Sequence, residues 1–235
     1  MKMYRVLSRV VCWAAFGVMV PMLGCADLSE PWQLNYARVL AVQATPPGVA
    51  PLQTTTLTAL VFDGAAVREV TMTDVVVPAP FAALLLPASA PAVWQAADAT
   101  VVARELAAQQ VPAGEALVVP VTTSVTLAGV DGPLMGVKHV RVGVAAANPV
   151  APAVLVDGVE QREVTLHAHQ VVQLSAAGAP GLTYVWASTH GELKRAAAAN
   201  SQLTATELGD GVLVVVVRDG VGGVAWTHVP LHVVP

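Results

Sequence analysis

Residues 210–233, DGVLVVVVRDGVGGVAWTHVPLHV, decide the fold. The run 212–218 is dominated by valine, and β-branched side chains suit a pleated, half-buried surface better than a helix. Asp219-Gly220 and Gly222-Gly223 follow, and glycine supplies the positive φ that a tight hairpin turn needs. Beyond the turn the pattern alternates. Val229, Leu231 and Val233 share one face of a strand, while Trp226, His228 and His232 share the other. This is a β-hairpin with one face toward a core and Trp226 on the opposite face.

The same pattern repeats upstream. Candidate strands occupy 153–156, 163–166, 171–176, 182–188 and 202–206, ahead of 212–218 and 224–233. Turn signals separate them: Asp157-Gly158, Gly178-Ala179-Pro180-Gly181, His190-Gly191, Asp210-Gly211 and Asp219-Gly220. Short strands at this spacing predict an all-β sandwich over 153–235 rather than βαβ units. Before it, Asn148-Pro149-Val150-Ala151-Pro152 reads as an extended linker, because two prolines remove backbone donors. Residues 36–147 predict a first sandwich, with strands over 37–45, 54–62, 67–77, 116–127 and 137–145. The Ala-, Glu- and Gln-rich stretch 96–110 predicts a short helix or an irregular insertion in it.

Tyr184-Val185-Trp186, then Gly191-Glu192-Leu193, then Val214 to Gly220 with Gly222-Gly223, resemble the immunoglobulin-like and PKD-like domains of bacterial surface proteins. The resemblance covers roughly 154–233, and the first half matches more weakly through RVLAVQATPPGVAP. It implies two immunoglobulin-like β-sandwiches in tandem, with Trp186 as the large core residue of a central strand. The chain departs from the pattern in two places. No cysteine pair flanks Trp186, and Trp186-Ala187-Ser188-Thr189-His190 stands where PKD-type domains carry Trp-Asp-Phe-Gly-Asp.

The N-terminus has a different character. Lys2, Arg5 and Arg9 precede an apolar run at 10–23, too short for the roughly 20 residues that span a bilayer as a helix. Residues 1–24 therefore predict a secretory signal. Met22-Leu23-Gly24-Cys25 resembles the bacterial lipobox, which implies cleavage before Cys25, a diacylglyceryl group on its thiol and an N-acyl chain, commonly palmitate, on its new amine. The other cysteine, Cys12, lies in the predicted signal, so no disulfide is expected. Residues 25–35 read as a lipidated polar tether. The resemblance further implies a place in the cell envelope, at the outer rather than the inner membrane, since Ala26 stands where aspartate favours inner-membrane retention.

Composition narrows the partners. Hydrophobic residues make up 55% of the chain and charged ones 12%, about half the usual charged share of roughly 25%. Without the three cations of the predicted signal, 9 Lys and Arg stand against 16 Asp and Glu, a net charge of −7. That sign argues against nucleic acid and against a basic membrane patch, leaving the lipid as the expected anchor.

Catalytic motifs are missing from the sequence. No serine sits in a Gly-x-Ser-x-Gly elbow, and Gly220-Val221-Gly222-Gly223 precedes a strand, not the helix that a phosphate loop requires. His167, His169, His228 and His232 are the metal-ligand candidates, because each pair could share a strand face. Against this, His167 and His169 fall at a turn, and His228 and His232 fall on the outer face of the last strand. Asp131, Asp157, Asp210 and Asp219 each precede glycine, as in tight turns. Trp32, Trp94 and Trp226 are candidate exposed contact aromatics. These features predict a non-catalytic structural or interaction protein with an envelope protein partner and no cofactor beyond the lipid. A carbohydrate- or peptidoglycan-binding module, with polysaccharide stacked on those aromatics, is the alternative. An enzyme whose site assembles only in space is the remote one. Two sandwiches stacked as a rod on a tether, separable at 148–152, complete the expectation.

Overall fold

The computed structural model describes residues 30–235 except Pro91 and Ala113. The signal over 1–24, the lipobox with Cys25 and the first part of the tether lie outside the described residues.

The first sandwich is built from β1 Arg38–Thr45, β2 Gly48–Val49, β3 Thr54–Phe62, β4 Val67–Thr71, β5 Asp74–Val76, β6 Leu85–Pro87, β7 Val93–Ala96, β8 Leu117–Val125 and β9 Leu134–Val142. Sheet I has the order β1-β3-β7-β6, with β4 also on β3, and sheet II has the order β2-β9-β8-β5. Pro46 and Pro47 break the opening strand. Its first part, β1, pairs antiparallel with β3, and its continuation, β2, crosses to the other sheet and pairs parallel with β9.

The second sandwich uses β10 Ala153–Val156, β11 Val159–Glu160, β12 Val164–His167, β13 Val171–Ala177, β14 Thr183–Ser188, β15 Glu192–Lys194, β16 Asn200–Thr204, β17 Gly209–Arg218 and β18 Val224–Val234. Sheet III is ordered β11-β10-β13-β16-β15, and sheet IV β12-β18-β17-β14. The opening strand again divides, β10 entering sheet III while β12 runs parallel to β18 in sheet IV. In both halves the order matches the two-sheet plan of immunoglobulin-like domains. The protein is therefore two immunoglobulin-like β-sandwiches in tandem.

Each sandwich closes on its own core. Leu57, Ala59 and Val61 of β3 meet Val119, Val121, Val140 and Val142 of sheet II in the first. In the second, Trp186 is fully buried among Leu174, Leu203, Leu213 and Leu231. Its Nε1–H donates to the Ala198 carbonyl at 2.9 Å, so the indole brings no unpaired donor into the core.

Several local expectations need correction. The single strand read over 67–77 is two, β4 in sheet I and β5 in sheet II. The chain crosses between the sheets at Met72, whose side chain is fully buried and whose N–H donates to the Leu57 carbonyl at 2.8 Å. Within the stretch 96–110, α1 spans Ala99–Ala108, with Asp98 capping it by accepting from the amides of Thr100 and Val101. Asp210-Gly211 is not a turn. Both lie in β17, and Gly211 is required because a Cβ there would collide with Thr189 Oγ1 and His190 Nδ1.

The largest departure is how the two sandwiches meet. Val212, Val214 and Val216 on the outer face of sheet IV, with Val224, Trp226 and Ala187, pack on Ala41, Leu60 and Phe62 of sheet I. Polar groups fasten the rim. Asn148 Nδ2 donates to the Ala44 carbonyl at 2.8 Å, and its Oδ1 accepts from the Val224 amide at 3.0 Å. Gln43 Nε2 donates to the Val224 carbonyl at 2.5 Å. The linker residue Asn148 thus binds one sandwich to the other.

The segment before β1 is fastened too. Ser188 N–H donates to the Trp32 carbonyl at 3.0 Å and Leu34 N–H to the Ser188 carbonyl at 2.9 Å, so residues 32–34 lie parallel along the edge of β14. Trp32 packs on the second core and Leu34 is buried between the sandwiches. Arg38 Nη2 donates to the carbonyls of Pro31 and Gln33, at 2.8 and 3.1 Å. The end of the expected tether, from residue 31, is a clamp.

Candidate functional site

The residues singled out from sequence do not converge. Trp32 packs on the second core, Trp94 on the first, and Trp226 lies in the interface between them. Trp226 does face away from Val229, Leu231 and Val233, as the alternation requires. It is nevertheless only 9% exposed, because the first sandwich covers that face. The expectation of exposure is corrected for Trp226, whereas Trp32 and Trp94 are half-buried, each packed against a different core.

The histidines separate as well. His232 Nδ1 is 2.6 Å from Asp210 Oδ1 and its Nε2 is 3.2 Å from Glu163 Oε1. The two carboxylates lie on opposite sides of the ring and do not meet at one point. The hydrogen bond to Asp210, with the charges of Asp210 and Glu163 adding, raises the imidazole above its ordinary value of 6.5. His228 is four residues along β18, about 13 Å away at strand spacing. His167 Nδ1 bonds the Pro235 carbonyl oxygen at 2.8 Å, and His169 sits at φ 65° in the following turn. Among the described residues no three His, Cys, Asp or Glu side chains group as metal ligands would.

The glycine-rich turn between β17 and β18 is already filled from within. Asp219 Oδ1 accepts from the amides of Val221 and Gly223, at 2.9 and 2.8 Å. Those donors are not available to a phosphate.

The feature with chemical potential was not among the candidates. A cleft of about 430 Å³ lies where the β17–β18 turn meets β1 and β9. Val39, Val42 and Met135 give it an apolar wall, and Lys138 and Arg218 line it as cations. Lys138 is only 4% exposed, and its Nζ donates to the Gly222 carbonyl. Among the described residues no carboxylate oxygen lies within ion-pair distance of Lys138, and the Arg218 guanidinium has no hydrogen-bond partner there. Burial pulls the Lys138 ammonium down to about 8, with the Asp219 charge opposing and the Arg218 charge adding to the fall. Burial lowers Arg218 in the same direction. The signal for Lys138 was present in the sequence: it shares core parity with Val140 and Val142 in β9, where alternation calls for an apolar residue.

A second surface feature lies on the outer face of sheet II. Val76, Val137 and Met135 are exposed there, with Thr122 paired between Val76 and Val137.

No protein-family model matches the chain, and neither does any curated protein. Solved structures resemble it at low identity. A nucleoside hydrolase-related hypothetical protein from Saccharophagus degradans associated with carbohydrate metabolism is 20% identical with a TM-score of 0.30, over 38% of this chain and 26% of that one. The chain thus spans about a quarter of that protein's length. The fibronectin(III)-like modules of Clostridium thermocellum CbhA are 12% identical with a TM-score of 0.30, over 82% of this chain and 94% of that one. The tandem Ig repeats of Dlar are 11% identical with a TM-score of 0.29, over 84% and 97%. None of these likenesses bears on function.

Proposed function

We propose that this chain is a lipid-anchored protein of the cell envelope, at the outer membrane, with a structural or protein-interaction role and no catalytic one. The observation that carries the reading is the clamp at residues 31–34, which ties the segment before β1 to β14 and to the interface at once. Glu30 lies five residue steps beyond Cys25, at most about 18 Å when fully extended. A lipid on Cys25 would hold the β14 edge of the second sandwich close to the bilayer. Load applied at the anchor would pass into both sandwiches, a property suited to a stiff spacer or adaptor. The exposed apolar strip Val76, Val137 and Met135 favours an interaction role, because such patches mark partner surfaces on monomeric proteins. The dispersal of Trp32, Trp94 and Trp226 gives no such support to sugar stacking.

Fractionation of cells expressing the full chain and its Cys25→Ser variant tests the anchor. The native chain is expected in the membrane pellet after a high-salt wash, and the variant in the soluble fraction. A variant that still pellets would overturn lipid anchoring through Cys25.

A further inference from the structure

We propose that the cleft between the β17–β18 turn and strands β1 and β9 is a binding site for a monoanionic carboxylate carried on a short apolar body, such as the C-terminal end of an extended peptide. The site lies between the two sandwiches, and the proposal does not depend on the lipid anchor.

Charge is the first argument. The predicted mature chain is net acidic, yet Lys138 and Arg218 face one cleft, with His139 on its wall. Asp219 is the carboxylate whose charge reaches Lys138, and its Oδ1 is committed to the turn amides. Two cations and one carboxylate leave the site one positive charge in excess. One monoanion neutralises it, whereas a dianion such as phosphate would overshoot and meet repulsion from Asp219.

Donor geometry is the second. Lys138 Nζ has three N–H groups, of which the Gly222 carbonyl uses one. The Arg218 guanidinium offers a planar fork that matches the two oxygens of a carboxylate. Lys138 is held in a place where its charge is poorly solvated, so an arriving anion relieves a cost that is already present.

Shape is the third. Val39, Val42 and Met135 line the cleft beside the cations, so the ligand that fits both walls has an apolar body next to its charge. A volume of about 430 Å³ lies within the range of small-ligand sites, roughly 300–1,000 Å³.

The test is a titration of the full chain in detergent micelles at pH 7, followed by amide NMR shifts. The probes are N-acetyl-Val-Val, its C-terminal amide and inorganic phosphate. Saturable shifts at Lys138 and at residues 220–223 are expected with the free acid. Loss of a charge-assisted contact weakens binding by about tenfold or more. That loss is expected with the C-terminal amide, with Arg218→Gln and with Lys138→Met. Lys138→Met removes a poorly solvated charge and so serves as a variant expected to fold; Arg218→Gln supplies an independent one. Equal binding of acid and amide, unchanged binding by folded Arg218→Gln, tighter binding of phosphate than of the acid, or no saturable shift with any probe would each overturn the proposal.

Discussion

The indole Nε1–H of Trp226, in the last strand of the second sandwich, donates to Glu69 Oε1 in β4 of the first at 2.7 Å. The indole ring itself is buried among Leu60, Phe62, Val214 and Val216 at the sandwich interface. One residue therefore contributes both a packing anchor and a polar fastening, and the two can be separated by substitution.

Trp226→Phe removes the donor but keeps most of the packing. Glu69 is exposed and can turn to water, so the expected cost is at most about 1 kcal/mol. Trp226→Ala empties the interface and is expected to cost about 3–5 kcal/mol, the range of large aromatic truncations. Calorimetry should show one cooperative transition in the native chain and two in Trp226→Ala, as the sandwiches uncouple. A single unshifted transition in Trp226→Ala would mean that the interface contributes nothing to stability.

Trp186→Ala is a control of a different kind, because Trp186 lies inside one core. Its loss is expected to cost about 3–5 kcal/mol as well, and to lower the melting of the second sandwich directly. Chemical denaturation followed by hydrogen exchange at β17 and β4 distinguishes the two cases. Trp186→Ala should expose β17 first, while Trp226→Ala should leave the inner ladder of each sandwich protected.

The sandwiches were legible because alternation is local, whereas the interface was not. In β17, Leu213, Val215 and Val217 face the core, as expected of a half-buried strand. Val214 and Val216 on the other face are just as buried, and so are Leu60 and Phe62 in β3. A run apolar on both faces requires a cover on both, and VLVVVV at 212–217 and ALVF at 59–62 are such runs. What the runs do not encode is which segment supplies the cover, since that contact spans some 150 residues of chain. The clamp is harder still to read. Trp32 and Leu34 are two residues apart in a short polar stretch, too brief for a period to emerge. Lys138 is the opposite case, a charged residue at core parity that alternation alone exposes as anomalous.

Gly136 in β9 lies directly against β1 of sheet I. A Cβ built there would stand 2.7 Å from Val42 Cγ2 and 3.3 Å from Val39 Cγ1. Both neighbours are β-branched and stiff at χ1, so neither yields easily. Gly136→Ala is expected to destabilise the first sandwich by about 1–3 kcal/mol through overpacking. Denaturant midpoints measure it, and a neutral or stabilising result would show that β1 can move away from β9.

His232 should report its carboxylate partners. Its raised folded-state value means that the associated stability is fully present below 6.5 and is lost as pH rises through the elevated value. An NMR titration of the His232 ring should give a midpoint above 6.5. Asp210→Asn should bring that midpoint down, since the hydrogen bond to Asp210 is the largest cause of the shift. A midpoint unmoved by Asp210→Asn would break the assignment.

Lys138 should act with the opposite sign. Its ammonium loses its proton near pH 8 in the folded chain, against 10.5 as its ordinary value. Between those limits the unfolded chain binds more protons than the folded one, so stability attributable to Lys138 rises with pH from about 8 to 10.5. Below pH 8 the penalty for burying the charge is in full force; above 10.5 it is gone. The span corresponds to something on the order of 3 kcal/mol. Lys138→Met removes both the charge and the slope, although the Gly222 carbonyl loses its donor in the exchange. Urea denaturation of the native chain and of Lys138→Met at several pH values isolates the effect. The stability difference, native minus variant, should climb through the alkaline range and level off above it. A flat difference would mean that Lys138 keeps its charge solvated in the folded chain.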